Sequence, residues 1–194
     1  MKKLSTYLFL ILFSLSAPSF ADDIRDFEIE GMSIGDSLLD YFSEKEIRKN
    51  ISNVYSYIED KTFVATGFDE KLISLKTYEY VQIEFKDNDK DYKIHGITGK
   101  LFLNFEENIE ACYKKQDEIA EKLSLIFKDT KKYKPNIEKH PADASGRSTV
   151  RDITFFLKSG DLAAVDCYLW HKEMPYQNNL KVNMSTKKLN EWLY

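Results

Sequence analysis

A chain of 194 residues with 28 basic and 32 acidic side chains carries a formal net charge of −4. With no basic cluster it lacks the electrostatic footprint of a nucleic-acid or anionic-membrane binder. Hydrophobic residues make up 43%, prolines number 4 and no low-complexity stretch is present, which excludes a disordered chain.

Residues 1–21 read as a secretory signal peptide. Lys2 and Lys3 give a positive start, Leu4 to Leu15 form an apolar run, and Ser19-Phe20-Ala21 supplies small residues where a signal peptidase reads. The run is shorter than the ~20 residues a spanning helix needs, and no cysteine lies at the cut to take a lipid. Cleavage would remove two basic residues, leaving 26 against 32 acidic ones, a charge of −6 over residues 22–194. That length suits one domain, which buries roughly 70% of its unfolded surface. The expected location is the periplasm, or else the extracellular medium, with no membrane span in the mature chain.

Residues 22–31 look extended, with Phe27 and Ile29 alternating against acids. Ser33 with Asp36, and again Ser43 with Glu46, have capping-box spacing, in which a hydroxyl and an acid three residues on satisfy free N–H groups. Each predicts a short helix, the first with Leu38, Leu39 and Phe42 on one side. Residues 62–66 suit a strand, and 78–86 a clearer one, with Val81, Ile83 and Phe85 on one face and Tyr80, Gln82 and Glu84 on the other. Asp87 to Asp91 form a turn, and 92–103 return as a strand. Over 106–127, Ile109, Cys112, Gln116, Ile119, Leu123 and Ile126 recur in steps of three and four, the stripe of a surface helix, which Asn104 with Glu107 would cap. Residues 128–147, with Pro135 and Pro141, form a polar loop long enough to be functional. Residues 149–157 and 162–171 form a hairpin, 179–185 a further strand, and 186–193 a closing helix with Leu189, Trp192 and Leu193 on one face. This order implies an α+β fold: an antiparallel sheet of about five to six strands, with one long amphipathic helix and short N- and C-terminal helices packed on one face.

The segment Phe27-x-Ile29-Glu30-Gly31-Met32-Ser33-Ile34-Gly35-Asp36-Ser37-Leu38-Leu39 resembles the start of SmpA/OmlA-like (BamE-like) small bacterial envelope domains, in which a strand ends in Gly-Met-Ser or Gly-Met-Thr and a helix follows. That family usually brings a lipidated Cys at the mature N-terminus and Leu-Gly-x-Pro after the helix. Here Tyr41-Phe42-Ser43-Glu44 stands in the second place and the Cys is absent. The resemblance implies an envelope location and a non-catalytic role, and carries over no binding residue.

Asp87, Asp89 and Asp91 have the spacing that opens a calcium loop. Tyr92 and Thr98 stand where the motif needs Gly and Glu, so a hairpin turn is the better reading. His95, His140 and His171 form no close pair of zinc-ligand type, and no metal or cofactor is expected. His95 shares strand parity with Ile97 and Leu101, as a packed imidazole would. His140, Asp143 and Ser145 in the long loop define an alternative, a small periplasmic hydrolase, although no G-x-S-x-G turn is present. Tyr78, Tyr80, Tyr92, Phe156, Tyr168 and Trp170 have the parity opposite the apolar strand faces. Of these, Tyr80, Tyr168 and Trp170 are the candidate binding residues for a saccharide, a peptide or an envelope protein. The first reading of function is therefore a non-catalytic binding or assembly module.

Cys112 and Cys167 are the only cysteines, and an exported chain meets an oxidising compartment. Cys112 lies on the stripe of the long helix. Cys167 alternates with Ala163, Val165 and Leu169 on its strand. If that helix packs on that face, the two form a disulfide.

Overall fold

The computed structural model describes residues 23–102, 109–127, 130–132 and 135–193. The signal-peptide reading, the Asn104–Glu107 cap and part of the 128–147 segment lie outside them. In chain order the elements are β1 (Glu28–Ile29), β2 (Met32–Ser33), α1 (Glu44–Lys49), β3 (Ile51–Ser52), β4 (Phe63–Asp69), β5 (Tyr80–Lys86), β6 (Ile94–Leu101), α2 (Ile109–Ile126), β7 (Lys131–Lys132), β8 (Asn136–Lys139), β9 (Thr149–Phe156), β10 (Leu162–Leu169), β11 (Asn179–Ser185) and α3 (Lys187–Leu193).

β1 and β2 form a small hairpin. The other nine strands make one antiparallel sheet in the order β3-β4-β5-β6-β11-β10-β9-β7, with β8 also paired to β9. The α+β class holds, and the sheet is larger than expected. The additional strands are short edges. β8 is exposed at all four residues, so burial writes no alternation into its sequence, and its pairing to β9 from Asn136↔Asp152 to Lys139↔Thr149 is a matter of backbone. The 128–147 segment is therefore partly strand, not only loop.

Two meanders, β3 to β6 and β9 to β11, are joined where β11 pairs with β6 from Leu180↔Leu101 to Ser185↔Gly96. One face of the sheet carries Val81, Ile83, Ile97, Val165, Val182 and Met184, all buried. α2 packs against this face over β9, β10 and β11. The N-terminal segment lies beside α2, with the rings of Phe27 and Phe127 4.7 Å apart. Cys112 and Cys167 meet in this layer as a disulfide with Cα atoms 6.1 Å apart. One turn further along α2, the fully buried Gln116 donates from Nε2 to the Val165 carbonyl at 2.6 Å and the Arg151 carbonyl at 2.7 Å.

The sequence reading puts all helices on one face, and the structure does not. α3 packs on β6 from the opposite side, where the Leu189 side chain lies over Gly96. Trp192 of α3 meets the Tyr55 ring at 5.2 Å and the Phe63 ring at 5.4 Å. The sheet is thus the middle of three layers, because its second face also carries apolar residues at this end. His95 changes sides for a related reason. The register shifts between Glu84 and Phe85, which pair with Gly96 and Ile94, and the extra residue on β6 turns its ring to Phe63, 5.1 Å away. Such a bulge breaks strand parity.

Of the two capping boxes, Ser43–Glu46 forms in full and starts α1. Ser33 instead belongs to β2: its N–H donates to Asp36 at 2.8 Å and its hydroxyl to the Phe27 carbonyl at 2.9 Å. The helix expected after it is one 3₁₀ turn, Leu38–Asp40, capped by Ser37. In the β1–β2 turn, Glu30 and Gly31 have φ of 56° and 82°, the left-handed pair of a two-residue hairpin. This aims the Glu30 carboxylate at three consecutive backbone N–H groups, Lys76 (2.7 Å), Thr77 (2.7 Å) and Tyr78 (3.0 Å), which ties the N-terminal hairpin to the start of β5. Among the described residues no helix is long and apolar enough to cross a membrane.

Two outcomes follow from these ties. Replacing both Cys112 and Cys167 by Ser is expected to cost about 2–5 kcal/mol in urea denaturation, since a bridge over a long loop restricts the unfolded chain. Glu30→Ala strands three N–H groups that a carboxylate now accepts, and is expected to cost about 1.5–3 kcal/mol in the same measurement.

Candidate functional site

On the sheet face away from α2, the strand registers place five side chains in one row. Tyr80 of β5 pairs with Lys100 of β6, Lys100 with Lys181 of β11, Lys181 with Asp166 of β10, and Asp166 with Asp152 of β9. From Tyr80 to Asp166 the row crosses three inter-strand gaps, about 14 Å. The flanking rows hold Gln82, Thr98 and Asn183 on one side, and Asn179 and Tyr168 on the other. α3 covers the sheet beyond the first of these, at Gly96. Tyr80, Lys100, Lys181, Asp166, Tyr168 and Trp170 are all half-buried, so this strip of the face, which we call the groove for the rings at its two ends, keeps contact with solvent.

Rings close the groove at both ends. At one, Tyr80 lies over Gly67, where a Cβ would come within 1.8 Å of its hydroxyl, so the absence of a side chain in β4 makes room for it. Phe102 stands 6.4 Å from Tyr80. At the other end Tyr168 and Trp170 are nearly parallel, 5.8 Å apart, His140 leans on Trp170 at 4.3 Å and on Tyr168 at 5.6 Å, and Tyr176 meets Trp170 at 4.5 Å. The Asn178 side chain fixes this hairpin by accepting the Trp170 N–H at 2.6 Å. The lysines lie against the rings, Lys100 Nζ 4.9 Å from the Tyr80 centroid and Lys181 Nζ 3.8 Å from that of Tyr168, within cation–π range.

Burial dominates the electrostatics of the floor. It lowers the Lys100 pKa to about 8, with Lys181 repelling the same charge. Burial also lowers the Lys181 pKa, against the pull of Asp166 and Glu84. The Asp166 carboxyl is pushed up from 3.8 to about 7 by burial, opposed by Lys181 and helped by Asp152. Glu84, also raised by burial, accepts from Gln82 at 2.7 Å and Tyr55 at 3.0 Å. His140 is held below its ordinary value by burial, then by the charge of Lys181.

The structure brings two of the three candidate binding residues, Tyr168 and Trp170, into contact and puts Tyr80 across the groove from them. Three other aromatic residues of the expected patch lie elsewhere. Tyr78 precedes β5 and turns to the α2 side, where its ring packs on Gly99 beside Leu101 and Ile119. Tyr92 is buried against Phe85 at 5.3 Å and donates to Glu44 at 2.6 Å. Phe156 pairs with Lys131 at the sheet edge. Strand parity does not extend through the turns on which Tyr78 and Tyr92 sit.

His140, Asp143 and Ser145 do not assemble as base and nucleophile. Asp143 accepts from the N–H and hydroxyl of Ser145 (2.9 and 2.6 Å) and of Ser148 (2.8 and 2.7 Å). These bonds, first the Ser145 and then the Ser148 hydroxyl, hold its carboxyl well below the usual range. Ser145 thus donates to a turn-forming carboxylate, and His140 Nδ1 accepts the Ala142 N–H at 3.1 Å. In the Asp87–Asp91 turn, Asp89 accepts the N–H of Asp91 at 3.0 Å and of Lys93 at 3.2 Å, while Asp87 pairs with Arg48 at 2.5 Å. The sequence reading missed Lys100, Lys181, Asp166, Asn179 and Tyr176, and assigned His140 to other chemistry. One signal was present: Lys100 and Lys181 are the only lysine or arginine residues of β6 and β11, and both have the parity of the polar face.

Compared with known proteins, the chain matches no family model, no curated protein and no solved structure.

The Asp166 carboxyl binds its proton more tightly folded than unfolded. The stability linked to it is therefore full below pH 3.8 and is lost as pH rises through about 7. Asp166→Asn is expected to match the wild type near pH 4 and exceed it by about 1–2 kcal/mol at pH 8, measured by guanidinium denaturation across that range. Parallel curves for the two proteins would refute this.

Proposed function

We propose that this protein is a non-catalytic binding module of the bacterial envelope, exported to the periplasm or beyond, whose ligand lies in the groove across β5, β6, β11 and β10. The observation that carries the reading is the Lys100–Lys181 pair: two lysines in direct register on a half-buried sheet face, one ammonium turned toward the Tyr80 ring and the other toward the Tyr168 ring. Like charges opposed across strands weaken a sheet, and places where a fold accepts such a cost are expected to be functional. Aromatic rings with a few polar groups placed between them are the usual lining of a small-ligand site. The signal-peptide pattern, the disulfide and the BamE-like segment support export. Saccharides, peptides and envelope proteins are the candidate partners, and nucleic acid is not.

The test is binding to glycan and peptide arrays by the full chain and by a variant carrying Tyr80→Ala, Tyr168→Ala and Trp170→Ala. Rings of this kind contribute about 1–3 kcal/mol each through buried area, so the variant is expected to lose array binding by more than tenfold while its circular dichroism stays native. Unchanged binding would place the ligand elsewhere.

A further inference from the structure

We propose that the ligand of this groove is an acidic saccharide, its carboxylate on Lys181 with Lys100 adding to the positive field, and its ring against Tyr168 and Trp170. The inference rests on the groove reading above and adds the ligand's chemistry. Lys100 Nζ donates to Gln82 Oε1 at 3.1 Å. Lys181 Nζ has no hydrogen-bond or ion-pair acceptor among the described residues and meets only the Tyr168 ring, at 3.8 Å. A half-buried ammonium without an acceptor is costly, and the charge of Lys100 on the neighbouring strand adds repulsion. An anionic group on Lys181 supplies the missing acceptor through charge-assisted hydrogen bonds and offsets the repulsion. The nearby acids do not serve. Asp166, opposite Lys181, makes no ion pair with it among the described residues, and neither does Glu84, whose Oε1 accepts from Tyr55 and Gln82 while its Oε2 is buried without a partner.

A second, independent observation points to hydroxyl groups on the same ligand. Asn179 is 6% exposed and stands opposite Tyr168, two residues along β11 from Lys181. Its Nδ2 donates to the Gln177 carbonyl at 2.8 Å, while its Oδ1 is buried with no partner among the described residues. An orphaned amide oxygen on the strand of Lys181, opposite one of the rings, suits a molecule that offers a hydroxyl donor, a carboxylate and an apolar ring face together. A sugar acid has all three. Inorganic phosphate would use the lysines and leave the rings and Asn179 unused.

The experiment is calorimetric titration of the full chain with tri-galacturonate, its methyl-esterified neutral counterpart and inorganic phosphate. The acid is expected to bind at least about tenfold more tightly than the ester or phosphate. Lys100→Met and Lys181→Met should each weaken the acid about tenfold and leave the ester unchanged, and Asp166→Asn should tighten the acid. Without ligand, Lys181→Met should melt no lower than wild type, which a lysine kept for structure would not allow. Equal affinity for acid and ester, both lost in Tyr168→Ala, would overturn the acidic ligand and leave the groove reading standing. Phosphate binding as tightly as the acid would overturn the saccharide. Absence of binding by all three probes, or saccharide binding that survives Tyr168→Ala, would overturn this inference; only the array test decides the groove itself.

Discussion

The pairing of β6 with β11 makes one sheet out of two meanders and builds the groove in the same step. Strands distant in the chain come together from Leu180↔Leu101 to Ser185↔Gly96. Alternate residues of that ladder, Ile97, Val182 and Met184, complete the core beneath α2. The other residues of the same ladder, Lys100 with Lys181 and Thr98 with Asn183, become the centre of the polar face. Because side chains alternate strictly along a strand, the register that seats the core also forces the two lysines together. The chain cannot slip by one residue to part them without turning Val182 and Met184 out of the core.

Stability is concentrated on the other side of the sheet. Gln116, fully buried, bridges α2 to β9 and β10 through two carbonyls, and the disulfide joins the same helix to β10 one turn away. Arg151 adds an ion pair to Asp117 at 2.9 Å. These links fix β9 and β10, the latter carrying Asp166 and Tyr168, without entering the groove. A rigid scaffold behind a polar face is what a preorganised binding site requires.

Coverage of the second face is uneven, and that decides where a ligand can lie. α3 and the segment around Tyr55 seal the end near Gly96 and Glu84, with Leu189 and Trp192 as the apolar contacts. Toward Lys100 and Tyr168 the face carries charged and amide side chains, which a packed helix could not cover without burying unpaired charge. The rings stand at the ends of this open part, where β4 offers Gly67 and the β10–β11 connection brings Tyr176 against Trp170.

By itself the sequence determined the local and periodic features. The stripe of α2, the alternation of β5, the strand Asn179–Ser185, the Ser43–Glu46 cap and the Cys112–Cys167 bridge are all written in spacings of two, three and four residues. Two cysteines on faces that must meet leave one pairing. The candidate ring residues Tyr80, Tyr168 and Trp170 were legible as parity positions, but their neighbours were not. Edge strands such as β8 bury nothing and so leave no pattern, and the bulge at Glu84–Phe85 reverses the side on which His95 lies. Only the tertiary structure decided that β11 lies beside β6, that α3 covers the face opposite α2, and that Lys100 falls in register with Lys181. Nothing local in either strand encodes which distant strand it will pair with; that follows from closing the core.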